Sequence, residues 1–75
     1  MPRMETLDEV LHICARNVRA RRSELDMTRA QLAKRAKLSY SYISGIERAE
    51  GNPRINTIAA IARALKVKPR QLFET

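Results

Sequence analysis

The segment Ser39–Arg48, which reads SYSYISGIER, is rich in hydrogen-bonding side chains and poor in solubilising charge. Ile43 and Ile46 are three residues apart, which marks one face of a helix that packs on a core. On the other face, serine hydroxyls can donate or accept, tyrosine can reach a phosphate or a methyl group, and arginine offers a two-pronged donor. These residue types suit contacts to the phosphates and base edges of a nucleic acid.

The charge of the whole chain favours the same kind of partner. Its 75 residues fit one domain, residues 1–75, and 15 basic residues against 8 acidic ones give a net charge of +7. An isoelectric point of about 10.5 is typical of proteins that bind nucleic acid. A basic protein with no such partner remains the alternative on charge alone.

Several other classes of function are disfavoured. The single cysteine, Cys14, permits no intrachain disulfide and no cysteine-based zinc site, and it does not face His12 on a helix. We therefore expect no metal, no cofactor and no enzyme activity. No apolar run is long enough to span a membrane, and the N-terminus around Arg3 lacks the apolar core of a signal peptide, so a cytoplasmic location is expected.

Apolar spacing of three and four predicts an all-α fold of five short helices in one bundle. The predicted ranges are about 6–25, 28–36, 39–48, 56–65 and a last short helix after Pro69 that ends near residue 74. Thr6 with Glu9, and Thr28 with Gln31, are capping boxes, and Ser39 is a good N-cap. Arg22 falls on the apolar stripe of the first helix and therefore needs a partner.

The second and third predicted helices, joined by a turn of about three residues, form a helix-turn-helix pattern over about 28–48. In that motif the second helix enters the major groove of DNA and the first crosses the backbone. Gly45 in mid-helix has an energetic cost, which suggests close approach to a partner, although a tolerated surface glycine is the alternative.

At this point the chain resembles the Cro and lambda-repressor-like helix-turn-helix regulators, also called the XRE family. The resemblance rests on MTRAQLAKRAKLSYSYISGIER, then NP, then TIAAIARALKV and QLF. It implies a compact five-helix DNA-binding domain, a homodimer and a palindromic operator on double-stranded DNA. Two half-sites would then lie about 34 Å apart on one face of the duplex.

The resemblance also implies roles for individual residues. Arg22 and Glu47 match a partly buried salt bridge between the first and third helices. Base contacts are expected, in this order, from Tyr40, Ser41, Arg48 and Ser44. Phosphate contacts are expected from Arg19, Thr28, Arg29, Ser39, Tyr42, Asn52 and Arg54.

Helices four and five, over about 56–74, have two interpretations. Leu72 and Phe73 can simply close the core. Alternatively Phe73, with Ile55 and Leu72, contributes to a symmetric dimer interface, which we favour because a two-fold dimer matches a palindromic site.

The chain departs from the family pattern at four positions. Ala49 replaces the usual glycine after the third helix, and Glu50 stands where a basic residue is common. Arg54 replaces the serine cap of the fourth helix, and Gly45 removes a side chain that reads bases in some relatives.

The predicted function is therefore sequence-specific DNA-binding transcriptional regulation, with RNA polymerase as a further partner if the protein activates. YISGIER slightly favours a restriction–modification controller over a phage or plasmid repressor. An antitoxin that neutralises a toxin and binds DNA secondarily is the main rival. A basic module for membrane surfaces or RNA is disfavoured, because bulky exposed apolar residues and aromatic stacking residues are few.

Overall fold

A computed structural model describes residues 6–75; the N-terminal segment with Arg3, on which the signal-peptide prediction depends, lies outside them. The elements are α1 (Leu7–Glu24), α2 (Arg29–Ala36), α3 (Tyr40–Glu47), α4 (Ile55–Ala64) and a 3-10 helix (Pro69–Phe73). The all-α prediction is confirmed. The count of five helices is corrected to four α-helices and one 3-10 helix across residues 6–75.

The helix starts follow from local capping. Glu9 N donates to Thr6 Oγ1 at 3.1 Å, and Gln31 N donates to Thr28 Oγ1 at 3.0 Å. In both boxes the acidic or amide side chain accepts from the cap backbone in return, so the two predicted capping boxes are confirmed. Helix α4 starts at Ile55, slightly earlier than expected, and its N-cap has no side-chain hydrogen bond.

All four α-helices end in the same left-handed turn. The residue with positive φ is, in chain order, Asp26, Lys37, Ala49 and Lys66. At each end the next residue donates its N–H back into the last turn of the helix, as Leu38 N does to Ala33 O at 2.9 Å. That next residue is apolar and packs on the core at three ends: Met27, Leu38 and Val67. At the end of α3 it is Glu50, which is exposed.

The core lies where α1, α2, α3, α4 and the 3-10 helix meet. Helix α1 contacts α3 and the 3-10 helix, whereas α2 contacts α3 and α4. The fully buried side chains at its centre are Val18, Leu32, Ile43, Ile61, Leu65 and Leu72. Helix α3 is therefore fixed between α1 and α2 by its isoleucines, and its opposite side is left for solvent or a partner.

Three arginines of α1 bind carbonyl groups at the ends of other elements. Arg21 Nε donates to Leu65 O at 2.9 Å, Arg16 donates to Glu74 O, and Arg19 donates to Glu47 O. These carbonyls belong to helix C-termini or to the C-terminal segment, where a positive charge is favourable. These three arginines therefore fasten α3, α4 and the C-terminal segment to α1.

Candidate nucleic-acid interface

The turn between α2 and α3 fixes the relative position of the two helices. Lys37 takes a left-handed φ of 59°, Leu38 packs against the core, and Ser39 caps α3. Tyr42 N donates to Ser39 Oγ at 3.1 Å, so the serine hydroxyl is used as an acceptor and keeps its own proton to donate. The predicted helix-turn-helix unit is present, with one capped, apolar-anchored turn between its helices.

The exposed side of α3 presents two tyrosines and a serine. Tyr40 is 54% exposed, Tyr42 is 37% exposed, and Ser41 is also exposed. Gly45 lies one turn after Ser41, and a Cβ at that position would meet no atom of the protein within 4 Å. Nothing inside the protein therefore requires glycine there.

Ser44 does not share this exposure, which corrects its expected outward orientation. It is only 4% exposed. Ser44 lies three residues before Glu47, so the two share a helix face, and Glu47 is 1% exposed. Because the Glu47 carboxylate is held inside the domain, Ser44 is turned inward with it and cannot reach a base edge from this position.

Glu47 is the centre of an ion-pair cluster that joins α1, α2 and α3. Arg22 binds the carboxylate twice, from Nε to Oε2 at 2.7 Å and from Nη2 to Oε1 at 3.1 Å. Arg29 Nε donates to Oε1 at 2.9 Å. The side chain of Glu47 is 0% exposed and that of Arg22 is 21% exposed. The family-implied pair of Arg22 and Glu47 is thus present with an additional cation.

Arg22 also donates from Nη1 to Met27 O at 2.9 Å, close to the end of α1. Its guanidinium therefore spans from the connector after α1 to the last residue of α3. This geometry explains an arginine on an apolar stripe: its charge is neutralised by Glu47, and its remaining donors meet a carbonyl.

Arg29, at the first position of α2, links the cluster to the start of α3. Its hydrogen bond to Glu47 raises the pKa of Arg29 above its ordinary value; the charge of Glu47 and a side-chain hydrogen bond to Tyr40 act in the same direction. A guanidinium has five N–H donors, more than these contacts use. Its side chain is 35% exposed, so Arg29 retains donors that a partner could use.

The remaining predicted phosphate contacts lie in α1, at the starts of α2 and α3, and in the segment after α3. Thr28 and Ser39 cap α2 and α3, so both lie at helix N-termini, which attract anions. Arg19 is exposed on α1 although it donates to Glu47 O. Asn52 and Arg54 are exposed in the segment between α3 and α4.

A cleft of about 360 Å³ separates α3 from the segment that follows it. Ser41, Tyr42 and Gly45 line one side, and Glu50 and Asn52 line the other. The cleft therefore brings together one predicted base contact, Ser41, and two predicted phosphate contacts, Tyr42 and Asn52.

Arg48 extends from the end of α3 beside this cleft and is paired with Glu50. Arg48 Nη2 lies 3.2 Å from Glu50 Oε1, and Nε lies 3.3 Å from the same oxygen. Both side chains are more than half exposed, at 55% and 61%. One carboxylate oxygen thus accepts both bonds, in contrast to the buried, two-oxygen arrangement at Glu47.

The predicted dimer residues separate into two groups. Ile55 is 85% exposed and Phe73 is 39% exposed, which fits an uncovered apolar surface. Leu72 is 1% exposed, so its prediction as an interface residue is wrong: it closes the core under α1 and α4. The neighbouring segment is fastened by Asn17, whose Nδ2 donates to Leu72 O at 2.9 Å and to Glu74 O at 2.8 Å.

Sequence reasoning missed two contributions. The second cation on Glu47, from Arg29, joins residues 18 apart, and no helical spacing rule connects them. The sequence offered one indication of this contact, which is that arginines outnumber the acidic residues that could pair with them. Asn17 was also missed, because a polar residue on a helix gives no sign that it will bind carbonyls 55 and 57 residues away.

Other kinds of site receive no support from residues 6–75. No group of three or more acidic, histidine or cysteine side chains there could hold a metal ion. In the same part of the chain no helix is long and apolar enough to cross a membrane. Cys14 is buried, and desolvation raises the pKa of its thiol, which disfavours the reactive thiolate.

Comparison with known proteins agrees with this geometry. The helix-turn-helix family model matches residues 18–72. The restriction-modification controller protein C.AhdI from Aeromonas hydrophila is 32% identical, with a TM-score of 0.81 over 84% of this chain and 96% of that one. The controller protein C.Esp1396I is 33% identical, with a TM-score of 0.78 over 85% of this chain and 83% of that one.

A curated relative lies among phage regulators. The immunity repressor protein of Bacillus phage phi105 is 43% identical over 51 residues, which are 68% of this chain and 35% of the relative. The chain thus spans about a third of that protein's length. Regulatory DNA-binding proteins, not enzymes, make up these matches, and with the helix-turn-helix geometry they show that the chain belongs to the XRE-type helix-turn-helix family of DNA-binding transcriptional regulators.

Proposed function

We propose that the protein recognises a palindromic operator as a homodimer, with α3 of each protomer in a major groove of double-stranded DNA. One observation carries the proposal: the exposed side of α3 is small, polar and aromatic, while its other side is fixed by Ile43, Ile46 and the Glu47 cluster. A rigid helix with short outward side chains can approach base edges closely.

Tyr40, Ser41 and Arg48 are the proposed base contacts; Ser44 is removed because it is buried. Arg48 offers the donor pair that matches O6 and N7 of guanine, and Tyr40 or Ser41 can contact the edges of neighbouring bases. The DNA backbone would be bound by the residues predicted to contact phosphates: Arg19, Thr28, Arg29, Ser39, Tyr42, Asn52 and Arg54. Such contacts to phosphates would fix the position and orientation of α3 on the duplex.

A second protomer would dock on the uncovered apolar surface at Ile55 and Phe73. A two-fold axis there places two copies of α3 on one face of the duplex, about 34 Å apart for adjacent half-sites. Binding over a promoter would exclude RNA polymerase, whereas binding beside it would allow contact with the polymerase and activation. The controller-protein likeness in fold and sequence supports a controller or repressor role.

The test is a titration against duplex DNA from the protein's own upstream region, with a scrambled duplex of equal length, at several salt concentrations. We expect the upstream duplex to bind about a thousandfold or more tightly, which is typical of specific over non-specific binding. Footprinting should show two protected half-sites. Equal binding of both duplexes with a steep salt dependence would reject sequence-specific recognition at that locus.

Two arginine variants provide the matched comparison. Arg48→Gln should reduce the preference for the upstream duplex, since it removes a base contact. Arg63→Gln removes the same charge from the last turn of α4, about 12 Å along that helix from its start at Ile55. It should leave the preference unchanged and alter only the general affinity.

A further inference from the structure

Glu50 is an acid on a surface whose other features suit an anionic partner. It lines the same cleft as Ser41, Tyr42 and Gly45, and its side chain is 61% exposed. A carboxylate placed there repels DNA phosphates. The exposure of Glu50 is fixed by the left-handed turn at Ala49, because Glu50 N donates to Gly45 O at 2.9 Å and holds the residue beside the end of α3.

The same carboxylate occupies two of the five N–H donors of Arg48. Glu50 Oε1 accepts from both Nε and Nη2 of Arg48, which is the edge that a guanidinium offers to a phosphate or to a guanine. An exposed pair of this kind contributes little to stability and is screened by salt, so it can open when a better acceptor is present.

From this geometry we propose that Glu50 is an internal competitor of DNA that holds Arg48 in the free protein and lowers the affinity of the interface. On arbitrary DNA, Arg48 stays paired with Glu50, and one phosphate contact is forgone. On the operator, the base edge and the neighbouring contacts of α3 together replace Glu50 as the acceptor, and the free energy of the broken pair is lost from operator binding. Because a pair that persists against a phosphate is worth at least as much as that phosphate contact, the acid lowers operator binding at least as much as non-specific binding. This inference rests on the proposed function for the role of Arg48 at a base.

The test is a double-mutant cycle of Glu50→Gln and Arg48→Gln on a scrambled duplex. Glu50→Gln alone should tighten binding about threefold or more and steepen the slope of log K against log salt by about 0.9, since one more phosphate is neutralised. In the Arg48→Gln background, Glu50→Gln should leave that slope unchanged. Glu24→Gln is the control, because this exposed acid lines a separate groove with Val67 and Leu72.

Measurement on the upstream duplex completes the design. Glu50→Gln should tighten operator binding at least as much as it tightens scrambled binding, because the operator complex no longer loses the free energy of the Arg48–Glu50 pair. The proposal is overturned if the slope steepens equally with and without Arg48, since Glu50 then acts by charge alone. It is also overturned if Glu50→Gln tightens binding to neither duplex.

The two proposals fail in different ways. If the wild-type protein does not prefer its upstream duplex, the proposed function fails, and the cycle on scrambled DNA still decides whether Glu50 withholds Arg48. If the wild-type protein does prefer it and Glu50→Gln behaves like Glu24→Gln, only the role of Glu50 fails. Circular dichroism of each variant confirms that the fold is intact.

Discussion

Arg22 Nε lies 2.7 Å from Glu47 Oε2, and this contact ties the last turns of α1 to the last residue of α3. Arg29 adds a second cation from α2 on the other carboxylate oxygen. The fully buried acid is therefore shared by three helices, and its two guanidiniums are partly exposed. Beside the buried Ile43 and Ile46, this one carboxylate fixes α3 to both neighbouring helices.

Glu47→Gln should lower the free energy of unfolding by about 3–5 kcal/mol, because it leaves guanidiniums without their carboxylate in a partly buried site. Arg29→Met should cause a smaller loss, because Arg22 still holds the acid through two hydrogen bonds. Urea denaturation of both variants measures the difference. Equal losses would contradict the central role of Glu47.

Ala49→Gly should stabilise the protein by about 0.5–1 kcal/mol. Ala49 has a φ of 58°, a left-handed conformation that costs an L-residue roughly 1–2 kcal/mol and that glycine adopts freely. The gain is reduced by the greater freedom of glycine in the unfolded chain. Thermal or urea unfolding provides the measurement.

Ala20→Gly is the matched control for that substitution. Ala20 is exposed within α1, in ordinary helical conformation, so glycine there should cost about 1 kcal/mol. The same chemical change should thus have opposite signs at the two positions. If both substitutions lower the free energy of unfolding, the left-handed conformation of Ala49 does not have the energetic cost assigned to it.

Local signals made much of the fold predictable from the sequence. The starts of α2 and α3 are fixed by hydrogen bonds between residues three apart in the chain, which involve Thr28, Gln31 and Ser39. The helix-turn-helix could therefore be located from the sequence without knowledge of tertiary contacts. The burial of Ile43 and Ile46 follows from helical spacing alone.

Tertiary contacts explain what the sequence could not show. The family resemblance implies that Ser44 contacts a base, but Arg22 and Arg29 from two other helices hold Glu47 inside the domain, and Ser44 shares the helix face of Glu47. Leu72 was ambiguous because an apolar residue near a chain end can close a core or cover a partner. Its burial is settled by the packing of the 3-10 helix on α1 and α4.

Gly45→Ala tests whether glycine at this position is required for folding stability or for DNA binding. A Cβ at this position meets nothing within 4 Å, so alanine should stabilise α3 by about 0.5–1 kcal/mol. On the proposed interface the same methyl group would enter the space between α3 and the base edges, and operator affinity should fall. Unfolding and DNA titration of this one variant test both halves. Unchanged or tighter operator binding would show that close approach at Gly45 is not needed.

Ser41→Ala and Ser44→Ala make the same chemical change on two sides of α3. Ser41 is exposed beside the cleft, whereas Ser44 is 4% exposed. Loss of the Ser41 hydroxyl should reduce the preference for the operator by about 1 kcal/mol, the usual worth of one hydrogen bond. Ser44→Ala should leave that preference unchanged and alter only stability. Competition titrations with upstream and scrambled duplexes measure the preference, and a larger effect at Ser44 would refute the assignment.

Ile55→Ala and Leu72→Ala distinguish an interface residue from a core residue. Leu72 is 1% exposed, so its truncation should cost about 2–5 kcal/mol of folding stability at any protein concentration. Ile55 is 85% exposed, so its truncation should leave the folded protomer intact but weaken self-association. Because dimer formation adds a concentration-dependent term to stability, urea unfolding should be run at several concentrations beside sedimentation equilibrium. If Ile55→Ala dimerises as tightly as the wild type, the second protomer docks elsewhere, and the spacing of the two copies of α3 must be derived from a different two-fold axis.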